Sequence, residues 1–193
     1  MRRWMTAAAA LVLVGTAGVA GAGTAGAAES GQAGQRALAA ACSTAWGSGL
    51  KSSTASQSKP LTNIRTGQNA CYDRMVFDVT GAAAGKVGYH VSYVDAFHQD
   101  ASGDLIPVSG GAILQIFVSA PSYDPATMKP VYAGQAGKPL PGVNISGYKT
   151  FKDTKFGASF EGQTQVGLGV RAKLPFRVLQ SGDQLIVDVA HTW

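Results

Sequence analysis

Titratable side chains are scarce in this 193-residue chain, and their scarcity bounds its chemistry. Beyond Glu29, Glu161 is the only glutamate, and His90, His98 and His191 are the only histidines. General acid–base work needs two such groups converging on one bond. Asp73, Asp78, Glu161 and Asp188 are available, but no spacing couples any two of them. No G-x-S-x-G elbow occurs, and "GASF" and "SGG" read as turns. A Ser-His-Asp set could be assembled from almost any serine here, so it discriminates nothing. "DAFHQDASGD" groups Asp95, His98, Asp100 and Asp104 much as a calcium loop would. Gly103, however, precedes Asp104 instead of following it, and no glutamate closes the loop. A polar hairpin tip accounts for the same residues. The expectation is a chain with no catalytic residues, no metal and no cofactor, and therefore not an enzyme.

Cys42 and Cys71 are the only cysteines. Without a CxxC pair or a neighbouring histidine they lack zinc-ligand spacing. A lipid anchor needs a large aliphatic residue three positions before the cysteine, directly after an apolar segment. Here that position is Ala39, and the preceding "AESGQAGQR" is polar. An even cysteine count in an exported chain points to a Cys42–Cys71 disulfide, with 28 residues between the two.

Export is read from the N-terminus. Arg2 and Arg3 form a basic start, Ala7 to Val14 an apolar run, and Ala25-Gly26-Ala27 an A-x-A cleavage pattern. We expect residues 1–27 to be a signal peptide, 28–41 a flexible tail and 42–193 a single domain. Loss of Arg2 and Arg3 takes the formal net charge from +5 to +3. The remaining Lys and Arg are scattered, with no run of four, so no nucleic-acid footprint is expected. No membrane span is expected in the mature chain, and the product should be secreted, extracellular or wall-associated.

What must position any site is a set of short strands. "RMVFDVT" places Met75, Phe77 and Val79 on one face, with Arg74 and Asp78 opposite. "KVGYHVSYVD" alternates Val87, Tyr89, Val91 and Tyr93 with polar residues, and "AILQIFVSA" is apolar on both faces around Gln115. "QVGLGV", "PFRVL" and "QLIVDVA" repeat the period of two, with Arg177 and Asp188 projecting away from their apolar neighbours. "QSGDQ" between the last two is a hairpin turn. Residues 47–60 read as an exposed polar loop and 121–147 as a long irregular connection. The expected fold is an all-β antiparallel sandwich of about seven to nine strands, in one domain with one disulfide.

Aromatic side chains with polar neighbours are the usual means of holding a sugar or peptide. Trp46, Tyr72, Tyr93, Tyr123, Tyr132, Tyr148 and Phe160 qualify, each with a packing role as the competing explanation. Trp46 lies four residues after Cys42 and could equally cover the disulfide.

"CSTAWGS", "RTGQNACYDRMVFDV", "GYHVSYV", "FEGQTQVGLGVRAKLPFRV" and "LIVDVAH" together resemble the AMIN-like domain of secreted actinobacterial proteins and lipoproteins. The resemblance implies similarity to AMIN domains, β-sandwich modules that localise envelope proteins by binding cell-wall material. Within that frame Asp73 and Arg74 stand at a strand start beside Cys71. Glu161 precedes a strand whose Gly167 and Gly169 leave one face bare, as strand glycines do where a ligand or another backbone approaches. Candidate ligand-binding residues are thus Trp46, Asp73, Arg74, Glu161, Gly167 and Gly169. The expected partner is cell-wall polysaccharide or peptidoglycan, the alternative an envelope protein.

Overall fold

Strands of period two that alternate apolar and polar residues bury one face each and must pack in pairs of sheets. The computed structural model describes Cys42, residues 45–55 and residues 58–193. The expected signal peptide and tail lie outside the described residues. The described residues form nine strands and no helix. They are β1 Lys51–Ser53, β2 Asn63–Gln68, β3 Tyr72–Asp78, β4 Tyr89–Val94, β5 Ala112–Val118, β6 Phe151–Phe160, β7 Gln163–Val170, β8 Phe176–Ser181 and β9 Gln184–Ala190.

All pairings are antiparallel. One sheet runs β1-β4-β5-β7-β6 and the other β2-β3-β9-β8. Met75, Phe77, Val187 and Val189 from the four-stranded sheet share one core with Val91, Leu114, Ile116 and Leu168 from the five-stranded sheet. Each of these side chains is fully buried. At about 25 cal/mol per Å² of apolar area, this core is the main stabilising contribution. Cys42 and Cys71 are disulfide-bonded, as expected. Ser181 pairs with Gln184 across the two-residue turn that Gly182 opens at φ 58°.

Three strands differ from the sequence expectation. β1 lies inside the segment read as an exposed loop. It is three polar or amphipathic residues long and pairs only with β4, so no apolar alternation marks it. β2 is an edge strand with Ile64 as its one buried residue. β6, including the "GASF" read as a turn, carries register shifts at Phe151/Asp153 and Phe156/Ser159. These bulges break the period of two that would have revealed it. The 121–147 connection contains no strand and only an isolated Tyr123–Pro130 bridge, as expected.

Candidate functional site

On the outer face of the four-stranded sheet, register brings three charged residues into one row. Arg74 on β3 and Arg177 on β8 both stand opposite Asp188 on β9. Arg74 donates Nε to Asp188 Oδ1 at 2.6 Å and Nη2 to Oδ2 at 2.9 Å. Arg177 donates Nε to Oδ2 at 2.8 Å. The Asp188 side chain is 0% exposed, whereas Arg74 and Arg177 retain 29% and 32%. A buried carboxylate needs such compensation, because the attraction of a pair offsets desolvation only when its hydrogen bonds are also made. Asp188 in turn raises the pKa of Arg74 above its ordinary value, mainly through their hydrogen bond.

Two aromatic rings frame these arginines. Tyr72 lies two residues before Arg74 on the same face of β3, and both guanidiniums sit 5.2 Å from its ring. Tyr72 Oη accepts from Arg74 Nη2 at 3.2 Å. Arg177 lies over Trp46 at 4.2 Å, and Trp46 meets Tyr72 edge to face at 5.8 Å. Contacts of this kind contribute about 0.5–2 kcal/mol each and, here, fix the arginine planes. Trp46 is itself held from three sides. The disulfide anchors its segment to Cys71, Phe176 N–H donates to the Gly47 carbonyl at 2.9 Å, and Lys51 Nζ donates to the Trp46 carbonyl at 2.9 Å. Lys51 also lies over the Phe176 ring at 4.6 Å, and partial burial lowers its pKa.

Asp73 belongs elsewhere. Its side chain points inward from β3 and is 0% exposed. Oδ2 accepts from the Thr150 and Phe151 amides at 2.6 and 3.2 Å, and Oδ1 lies 3.1 Å from His191 Nε2. His191 Nδ1 lies 3.2 Å from the Ala70 carbonyl. Asp73 is thus consumed in tying the start of β6 and the end of β9 to β3, and is not open to a ligand.

Glu161 follows β6, at the far end of a ten-residue strand from Phe151. At about 3.3 Å per residue that separates it from Asp73 by roughly 30 Å. It sits in the β6–β7 turn at φ 46°, an uncommon conformation for a side-chain-bearing residue. With His90, Asp100, Phe117, Phe160 and Gln163 it lines a shallow cavity of about 390 Å³. The strand glycines face no open surface. A Cβ on Gly169 would lie 1.9 Å from the Ser109 carbonyl oxygen, and one on Gly167 would lie 2.8 Å from the Phe97 ring. The β4–β5 connection therefore fills the face that sequence reading left bare.

That connection also contains Asp95 to Asp104, which form a hairpin tip. Gln99 N–H bonds the Asp104 carbonyl at 2.7 Å, Gly103 N–H bonds Gln99 at 2.9 Å, and His98 Nδ1 lies 3.0 Å from the Gly103 carbonyl. Among the described residues no three His, Cys, Asp or Glu side chains group as metal ligands. A cleft of about 370 Å³ beside β5 offers only Asp95 and Lys173 as charged side chains, without the aromatic–guanidinium combination of the Asp188 row.

Of the six residues expected to bind ligand, only Trp46 and Arg74 come together. Sequence reasoning did not assign Arg177, Asp188 or Tyr72 to the same site. The signal was present in the outward projection of Arg177 and Asp188, but pairing them required the strand order.

Residues 59–191 match the AMIN-like domain model. The chain belongs to the AMIN-like domain family. Tyr72, Arg74, Arg177 and Asp188 fall inside the matched region, while Trp46 and Lys51 precede it. No curated protein and no solved structure matches the chain. An AMIN-like domain in general suggests a non-catalytic module related to the cell envelope or peptidoglycan. The disulfide is consistent with an extracytoplasmic location, where oxidising conditions preserve it. Among the described residues no helix is long and apolar enough to cross a membrane.

Proposed function

We propose that this AMIN-like domain, residues 42–193, is the folded domain of a secreted actinobacterial protein whose mature chain begins at residue 28. In this reading residues 1–27 are the signal peptide and 28–41 a tail. The domain is a non-catalytic module that binds cell-envelope glycan or peptidoglycan. Family membership over residues 59–191 is the observation that carries the reading. The Trp46–Tyr72–Arg74–Arg177 face supports it, because guanidinium forks held in place by aromatic rings offer directed donors to an oxygen-rich ligand. Glu161 remains a separate candidate contact on the other sheet.

Co-sedimentation of the oxidised protein with purified peptidoglycan sacculi, across a salt series, tests this. Binding that persists at high salt and weakens in Trp46→Ala is the expected result. Binding that disappears with modest salt and is unchanged in Trp46→Ala would reflect only net charge, screened within about 10 Å at 0.1 M, and would count against recognition. A second reading, docking to an envelope protein, is favoured by one feature. Phe160 is 44% exposed beside Phe117 and Glu161 in the shallow cavity. Co-purification with one envelope protein, lost in Phe160→Ala while sacculi binding is absent, would move the assignment there.

A further inference from the structure

The outer-face site differs from an ordinary sugar platform in what occupies its rings. Neutral pyranoses bind aromatic side chains by laying a C–H face on the ring. Here the Arg177 guanidinium already covers a face of Trp46 at 4.2 Å and approaches Tyr72 at 5.2 Å. With that ring face covered, the Arg177 side chain still keeps 32% of its surface in solvent. Its Nε is committed to Asp188, and its terminal nitrogens make no hydrogen bond among the described residues. Arg74 likewise spends Nε and Nη2 on Asp188 and Tyr72, leaving Nη1 without such a bond. The two arginines outnumber the one carboxylate that binds them, so the row carries an excess positive charge, with the Lys51 ammonium nearby bonded to the Trp46 carbonyl.

An arginine stacked on a ring and pinned at Nε has little side-chain entropy left to lose on binding. Its remaining N–H pair is a preorganised fork for a planar or tetrahedral oxyanion. We propose that Arg177, with Arg74, is an oxyanion-binding site that selects acidic saccharides over neutral ones. This rests on the envelope-binding reading for its ligand source and adds the chemical class. The acid group can be a carboxylate on the glycan or a phosphate on an accessory wall polymer, and both present the same oxygen pair to the fork.

Titration of the oxidised full chain with small probes tests it by calorimetry. One pair is N-acetylmuramic acid against its methyl ester, and the other is glucose 6-phosphate against glucose. At least tenfold tighter binding of one acid than of its neutral partner is expected. Preference within the first pair identifies a carboxylate, and within the second a phosphate. Arg177→Gln, which keeps an N–H for Asp188, should erase the preference. Arg177→Lys should lose most of it, because an ammonium lacks the fork. A melting-temperature measurement on each variant separates lost binding from lost folding. If Arg177→Gln fails to fold, Trp46→Ala takes its place, with a several-fold loss expected from the freed guanidinium.

Equal affinity for acid and neutral probes would overturn the proposal, as would full affinity in Arg177→Lys. The envelope reading fails separately. Acid-probe binding without sacculi binding would leave the oxyanion site standing and remove its wall ligand. Sacculi binding that is indifferent to Arg177 would do the reverse.

Discussion

Asp73 and Asp188 face opposite sides of one sheet from adjoining register positions. Asp73 pairs with Val189, and Arg74, its neighbour, pairs with Asp188. Both carboxylates are 0% exposed, yet their surroundings differ in kind. Asp73 is bound by two backbone amides and His191, all belonging to the sandwich interior or its seam. Asp188 is bound by two arginines that keep about a third of their surface in solvent. The first network is closed, because every donor ends at the carboxylate. The second is open, because the arginine forks extend beyond it. Burial of a charge alone therefore does not indicate a site. The direction in which its partners' remaining hydrogen-bonding capacity points does.

The largest expected effect is at the closed network. Asp73→Ala leaves the Thr150 and Phe151 amides and His191 without their acceptor, and should cost about 3–5 kcal/mol in urea unfolding. Any folded fraction should bind the envelope ligand with unchanged affinity. A small loss would show that Asp73 is not the seam. Next is the disulfide, which serves both regions. Replacing Cys42 and Cys71 by Ala should cost about 3–4 kcal/mol by loop entropy over the 29-residue separation. It should also weaken ligand binding in the native fraction, since Trp46 is tethered through Cys42. Unchanged binding would mean that the Gly47 and Lys51 contacts hold Trp46 without the bridge.

Arg177→Gln should lower stability by only about 1 kcal/mol, since Arg74 keeps its two bonds to Asp188 and the lost pair is partly solvent-screened. A loss as large as that of Asp73→Ala would erase the distinction between open and closed networks. The smallest effect at neutral pH concerns Tyr93. Burial lifts its phenol to about 12, partly offset by the Leu174 N–H, which donates to the phenol oxygen at 3.0 Å. In the unfolded chain the phenol ionises near its ordinary value of 10. The unfolded state therefore releases this proton first, and stability present below about pH 10 is lost as pH rises toward 12. Tyr132, raised by burial as well, adds in the same direction. Melting temperature followed over that range should fall less steeply in Tyr93→Phe than in the parent chain.

The alternation in β3, β4, β5, β7, β8 and β9 was legible because each buries one face, or both, in a regular pleat. β6 was hidden by its two bulges, and β1 and β2 by their edge positions, where backbone pairing rather than apolar periodicity forms the strand. The candidate site was legible in fragments. Trp46 and Arg74 were identifiable by type, but Asp73 was grouped with Arg74 because they are adjacent in the chain. Adjacent strand residues point to opposite faces, so that adjacency separated them.

The sequence by itself determined the all-β class, the disulfide and the faces on which Arg74, Arg177 and Asp188 project, because these follow from local period and cysteine count. Tertiary structure alone decided that the three meet. Arg74 and Asp188 are 114 residues apart, and only the β3-β9-β8 order sets them side by side. It also decided that Gly167 and Gly169 admit Phe97 and Ser109 rather than a ligand, because a missing side chain reserves space without naming what fills it.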